Sequence, residues 1–290
     1  MQLLVNIIVL AAIYALISCG YVLIYRVSRV LNLAHGDLMV LGAYLLYTTA
    51  SLFGGNPVMA VGMALLMGLV VGILVYVLLM RRMTGEMVLA AVLCTIALGV
   101  MLHGVTAFIW SGQVRYPIME LGWSNPSLTL FGDARISLAS AVLIVTTAIV
   151  YVALFGFMGF TRWGIRMRAA GQNPLLASQR GIQLHVVYAL AWGLSTFTAG
   201  IAGMLISLDS GLYGTMSMLG LKAFPAALVG GLDSLAGALI GSAIIAIAEV
   251  LLISYVNPLL TDVVPFAVLL VVLVVRPWGL FGSKEELDRV

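Results

Sequence analysis

The sequence predicts an all-α polytopic membrane protein, and three observations carry that prediction. Of the 290 residues 63% are hydrophobic and only 9% are charged, whereas a soluble domain carries about a quarter charged residues. Such a chain cannot cover a water-facing surface. The apolar residues gather into runs of about 20, the length a helix needs to cross a hydrocarbon core. The runs are apolar on every side, as in Val58 to Met80 and Leu138 to Met158, where a barrel strand would alternate over about ten residues. One membrane domain, residues 1–290, fills the chain.

Taken in order, the predicted spans are Leu3 to Tyr25, Leu33 to Phe53, Val58 to Met80, Met87 to Trp110, Ile136 to Met158 and Val186 to Leu208, followed by Leu235 to Ser254 and Val263 to Val275. Between Gly220 and Gly231 lies a shorter apolar piece interrupted by Pro225, which reads as a broken half-helix. Counting it, the chain makes about eight to nine crossings. Arg26, Arg29, Arg81, Arg82, Arg162, Arg166, Arg168 and Arg180 then fall on one side with Arg276, Lys284 and Arg289 of the tail, against Arg115, Arg135 and Lys222. The positive-inside rule makes that side the cytoplasm. Only Met1 and Gln2 precede the first apolar run and no basic residue occurs before Arg26. The start therefore lacks the basic region of a cleaved signal, and the first helix is expected to stay, its N-terminus outside.

The sizeable external loop, residues 111–135, contains Pro117 and Pro126 and is too short for a soluble domain; residues 277–290 form a cytoplasmic tail. Gly68 with Gly72 and Gly237 with Gly241 are spaced for close helix packing. Cys19 and Cys94 fall within spans and are too few for a disulfide framework or a metal site. His103, Tyr116, Trp110, Trp123, Tyr213 and Tyr255 fit an interfacial aromatic belt. A net charge of +3 points to no nucleic-acid partner.

Active transport needs an energy source, and a chain that hydrolysed ATP itself would carry a glycine-rich loop ending in Lys-Ser or Lys-Thr. None is present, the lysines being Lys222 in Gly-Leu-Lys-Ala and Lys284 in Gly-Ser-Lys-Glu. The internal loop 161–186 has the features of a docking element. Asn173 is an N-cap, Pro174 suits the first helical position and Gly181 a stop, which spells a short helix outside the membrane. Leu175, Leu176 and Ala177 on it suit a groove of a cytoplasmic protein, and the surrounding arginines supply charge complementarity. An ordinary basic loop held by lipid headgroups is the other reading.

Three stretches carry a family resemblance: AIYALISCGYVLIYRVSRVLNLAHGDLMVLGAYL, the loop from Thr161 to Val186, and GLKAFPAALVGGLDSLAGALIGSAIIAIAE with VRPWGLFG. In that order they resemble the permeases of branched-chain amino acid ABC importers. The resemblance implies a type II importer fold, a second permease subunit of the same or a sister kind, two cytoplasmic ATPases that use ATP and Mg, and a periplasmic solute-binding protein. It implies no cofactor on this chain, and a coupling segment over Gly164, Arg166, Arg168, Asn173, Pro174, Leu175, Leu176, Ala177, Arg180 and Gly181. Urea, short amides and other small polar solutes fall within the same family's range.

Polar residues at membrane depth are costly and face a cavity or a protein neighbour. Asn32, His35 and Asp37 cluster where the second span begins, with Gly36 freeing the backbone, and are expected near the cytoplasmic side. A broken helix entrance can offer backbone groups to a polar solute; the plain alternative has Asn32 and Asp37 capping the helix and His35 bonding a neighbour. Lys222, Phe224 and Pro225 belong to the second candidate stretch, in which Lys222 either meets a carboxylate or snorkels to headgroups. Glu249, deep in the next span, needs a partner or a proton. An ion-coupled carrier would use Asp37 and Glu249 as ion sites, and a membrane-embedded enzyme would need more than His35 and Asp37.

Overall fold

A computed structural model describes residues 1–53, 56–129 and 134–282. Eleven helices carry its architecture: α1 (Gln2–Ser28), α2 (His35–Leu52), α3 (Pro57–Val75), α4 (Val88–Trp110), α5 (Leu138–Phe160), α6 (Arg162–Gln172), α7 (Pro174–Gln179), α8 (Leu184–Ser210), α9 (Ser217–Gly230), α10 (Leu235–Tyr255) and α11 (Val264–Val275). α3 continues through a π-helical turn, Tyr76–Met80, to Met83. Six of these helices are long and apolar enough to cross a membrane. Lys284 and Arg289 of the expected cytoplasmic tail lie outside the described residues.

Local chemistry sets several starts. Asn56, Ser137, Thr161, Asn173 and Ser234 each accept a first-turn N–H with their side chains, satisfying amides that have no partner within the helix. Burial then sorts the bundle. α1 and α8 are 67% and 72% buried over their apolar windows, while α3, α4 and α5 are only 28–33% buried, so the first pair forms the centre and the others the rim. α10 runs antiparallel to α1, since Glu249 meets Tyr14 and Ser242 meets Ser18. The Gly237/Gly241 pair approaches Gly230 and Ala226 of α9 at backbone contact, as expected; Gly72 likewise meets Trp192 and Thr196 of α8, but no neighbour lies within 4 Å of where a Gly68 side chain would start.

The segment expected to be a loop with one short helix is instead two helices, α6 and α7, joined at Asn173. Gly164 and Gly171 are contact points in this fold, Gly164 against the Phe157 carbonyl and Gly171 against the Arg26 carbonyl. The external loop is also more ordered than its composition suggests. It holds a one-turn helix, Pro117–Glu120, and an antiparallel pairing of β1 (Ser127–Thr129) with β2 (Arg135–Ser137). Asp209 at the end of α8 accepts three side-chain hydrogen bonds that pin this loop and the start of α5, from Asn125 Nδ2 (3.0 Å) in the loop and from Ser137 Oγ (2.5 Å) and Ser140 Oγ (2.9 Å) at the start of α5.

Candidate functional site: a helix that begins inside the bundle

α1 ends at Arg29 in the left-handed region, φ 56°, and the chain turns back through a non-helical stretch that ends in a turn at Leu33 and Ala34. The start of α2 lies deep in the bundle, because His35 Nε2 meets the carbonyl of Ile17, midway along α1, at 3.1 Å. Lengths allow this: Ser28 lies about 16 Å along the helix axis from Ile17 at 1.5 Å per residue, and six residues can reach up to about 20 Å. The cluster expected near the cytoplasmic side therefore sits at mid-depth. Helix α2 starts two residues later than the predicted span, at His35.

Thr95 and Asn32 satisfy the returning backbone. Leu33 N–H donates to Thr95 Oγ1 (3.2 Å), whose hydroxyl lies 2.8 Å from the Val92 carbonyl and 3.3 Å from the Leu31 carbonyl, and Ala34 N–H donates to Asn32 Oδ1 (3.1 Å). Neither Asn32 nor Asp37 is the cap of α2: the N-cap position is Ala34, without a side-chain cap bond, and Asp37 lies within the first turn. Asn32 is buried, and its Nδ2 has no partner among the described residues, an exception to the rule that buried donors are paired. His35 is fully buried, with Ser195 Oγ at 3.4 Å from Nδ1 and the Tyr21 ring centroid at 4.4 Å. Gly36 is present because α9 crosses there: a methyl group on it would lie 2.5 Å from the Ser217 carbonyl.

Asp37 has a partner that sequence spacing did not reveal. His103 of α4, assigned above to the aromatic belt, brings Nδ1 to 3.7 Å from Asp37 Oδ1. The two are 66 positions apart, and only the packing of α2 on α4 brings them together.

The second candidate stretch is longer than predicted, beginning at Ser217, and Pro225 lies inside it as α9. Lys222 does not snorkel to headgroups. Its Nζ sits 2.6 Å from Asp262 Oδ1 and 3.6 Å from Glu249 Oε1, and Glu249 Oε2 accepts a 2.6 Å hydrogen bond from the Tyr14 hydroxyl. A cation held between two carboxylates in this way ties α9, α10, α1 and the turn before α11 together. Phe224 packs on Tyr21, centroids 5.4 Å apart, and the Tyr21 hydroxyl donates to the Gly220 carbonyl at 3.1 Å. Tyr14, Tyr21, Thr95, His103 and Asp262 are thus the members of these sites that the sequence did not mark. Among the described residues no three His, Cys, Asp or Glu side chains come together as a metal site.

At the opposite end of the chain's functional elements, α7 keeps the predicted cap: Asn173 Oδ1 accepts the Leu176 N–H at 3.0 Å, and Gly181 takes φ 79°. Leu175 and Leu176 are 68% and 56% exposed, whereas Ala177 is 5% exposed and packs inward, so Ala177 leaves the expected docking face. Arg166, Arg180 and Pro174 are exposed and Arg168 is half-buried. Arg166 lies over the Trp163 ring, 4.8 Å from its centroid.

Residues 3–273 match the family model described as "Branched-chain amino acid transport system / permease component". The high-affinity branched-chain amino acid transport system permease protein LivH of Salmonella typhimurium is 30% identical over 98% of this chain and 96% of its own length. Its namesake in Escherichia coli gives the same figures, and a probable branched-chain amino acid transport permease protein of Methanocaldococcus jannaschii is 28% identical over 92% of this chain and 88% of its own. No solved structure matches the chain. The family match over nearly the whole length, on a bundle of membrane-length helices, makes the chain a transport subunit of the membrane: it belongs to the permease-component family of branched-chain amino acid transport systems.

Proposed function

We propose that this chain is one of the two membrane subunits of an ATP-driven importer for branched-chain amino acids or a related small polar solute, in the inner membrane. A periplasmic binding protein delivers the solute, and two cytoplasmic ATPases supply the energy. The second permease is a sister or an identical chain, and α6–α7 is the segment on which an ATPase seats. The N-terminus is outside and the C-terminus cytoplasmic, with α9 counted as a crossing. The observation that carries the ATPase reading is the surface of α7: two exposed leucines on a capped helix, beside exposed arginines, match the apolar anchors and charged rim of a helix-in-groove contact.

The test is a Leu175→Glu, Leu176→Glu variant co-expressed with candidate ATPases. Retention of the ATPase on the purified chain should fall at least about tenfold, as loss of the central apolar anchors of an interface requires, while the chain stays folded in the membrane. Full retention with uptake intact overturns the reading. Gradient-driven uptake by the chain alone in vesicles would support an ion-coupled carrier instead. Glu249 is a weak ion site in that alternative, since Lys222 and Tyr14 already hold it.

A further inference from the structure

We propose that Asp37 and His103 line a water-filled solute route, in which the Asp37 carboxylate receives the ammonium group of the amino acid. The solute's identity rests on the importer reading above; the water-filled route does not.

The inference starts from exposure at depth. α4 buries one stripe, Ala91, Thr95, Leu98, Gly99, Leu102 and Thr106, and the rest of its surface is apolar apart from His103. That side chain is 56% exposed and the Asp37 side chain 20%. Asp37 lies two positions beyond His35, which is fixed to the middle of α1, and His103 is well inside α4. An imidazole and a carboxylate at that depth do not face hydrocarbon; they face water, a polar solute or a protein neighbour. Non-helical backbone at membrane depth is either buried in protein or lines a water-filled cavity, and α2 begins there after a non-helical approach.

One further feature favours a solute over a structural ion pair. The Asp37–His103 distance of 3.7 Å is beyond hydrogen-bond range, so the carboxylate keeps acceptor capacity, in contrast to Glu249 with its 2.6 Å bond from Tyr14. Gly99 backs the carboxylate on the α4 side, where a methyl group would lie 2.9 Å from Asp37 Oδ2. A primary ammonium brings three donors and a compact charge, which suits a carboxylate with acceptor capacity left over.

The experiment places one new cysteine at His103 or, as a lipid-facing control, at Val100, which is 71% exposed on the same helix, in a chain carrying Cys94→Ser and retaining only the buried Cys19. A charged thiosulfonate reagent reacts with thiolates in water. His103→Cys should react at least tenfold faster than Val100→Cys in membranes; equal, slow labelling at both positions overturns the water-filled route. Uptake of L-leucine by the complete transporter then tests the ammonium contact: Asp37→Asn should lower it at least tenfold, with Asp37→Glu retaining a larger share. Leucine uptake by Asp37→Asn at the parent rate overturns that contact. Both outcomes are separable from the ATPase reading, because retention of the ATPases on each variant is measured in the same membranes.

Discussion

Replacing Lys222 by methionine keeps the reach of the side chain and removes its charge, leaving Glu249 buried between α1 and α10 with only the Tyr14 hydroxyl. The two charges are 3.6 Å apart with side chains 12% and 3% exposed; at an effective dielectric constant of about 20 their attraction is about 5 kcal/mol. Much of that offsets the desolvation of the pair, but removing one partner leaves the other's cost uncompensated, and such losses are about 3–5 kcal/mol. Asp262 also contacts Lys222, yet its side chain is 85% exposed, so Asp262→Asn should cost only about 0–1 kcal/mol. Glu249→Gln keeps an acceptor for Tyr14, and the double variant Lys222→Met, Glu249→Gln should recover most of the loss. Equilibrium unfolding in mild detergent of the parent, the Lys222→Met and Glu249→Gln variants and their combination measures this as a double-mutant cycle, with Asp262→Asn unfolded beside them. If Lys222→Met unfolds at the parent midpoint, or Asp262→Asn costs as much as Lys222→Met, the central tie is not the buried pair.

Two other substitutions probe packing and the outer rim. Gly36→Ala, which would press on the Ser217 carbonyl at 2.5 Å, should destabilise by about 1–3 kcal/mol as an overpacked crossing, whereas Gly200→Ala, whose added methyl finds its nearest neighbour at 3.9 Å, should be tolerated in the same unfolding assay. Asp209→Ala removes the acceptor of three side-chain hydrogen bonds, bonds to charged groups being worth about 1.5–3 kcal/mol each; the external loop should then exchange its amides faster than in the parent while those of α1 do not change.

How much of this was legible in the sequence depended on the range of the interaction concerned. The start of α7 was readable because Asn173, Pro174 and Gly181 act on their own backbone within one turn, and the structure keeps each of those roles. Six of the spans were readable because length and apolarity decide them, whereas α2 and α11 are not among the helices long and apolar enough to cross. The depth of the Asn32–Asp37 cluster was not, since nothing in a short Arg29–Ala34 linker says whether it runs along a surface or turns back inside; the answer lies in a bond from His35 to Ile17 of another helix. Pairing was hidden for the same reason. Asp37 with His103 and Lys222 with Glu249 are contacts between helices whose surfaces are apolar nearly all round, so periodicity gave no face on which to look for a partner. α6 was not assigned within the loop 161–186, where only the short helix from Asn173 was expected. A glycine supplies both freedom of backbone angle and absence of a side chain. At Gly164 and Gly171 the second governs, because the Phe157 and Arg26 carbonyls occupy the positions where side chains would start. The same property links the two functional regions: Gly171 seats α6 against the end of α1, immediately before the stretch that leads to Asp37, and Arg29 Nε donates to the Gly171 carbonyl at 3.2 Å. A displacement of α6–α7 would therefore act first on the chain segment that leads into α2 and its Asp37.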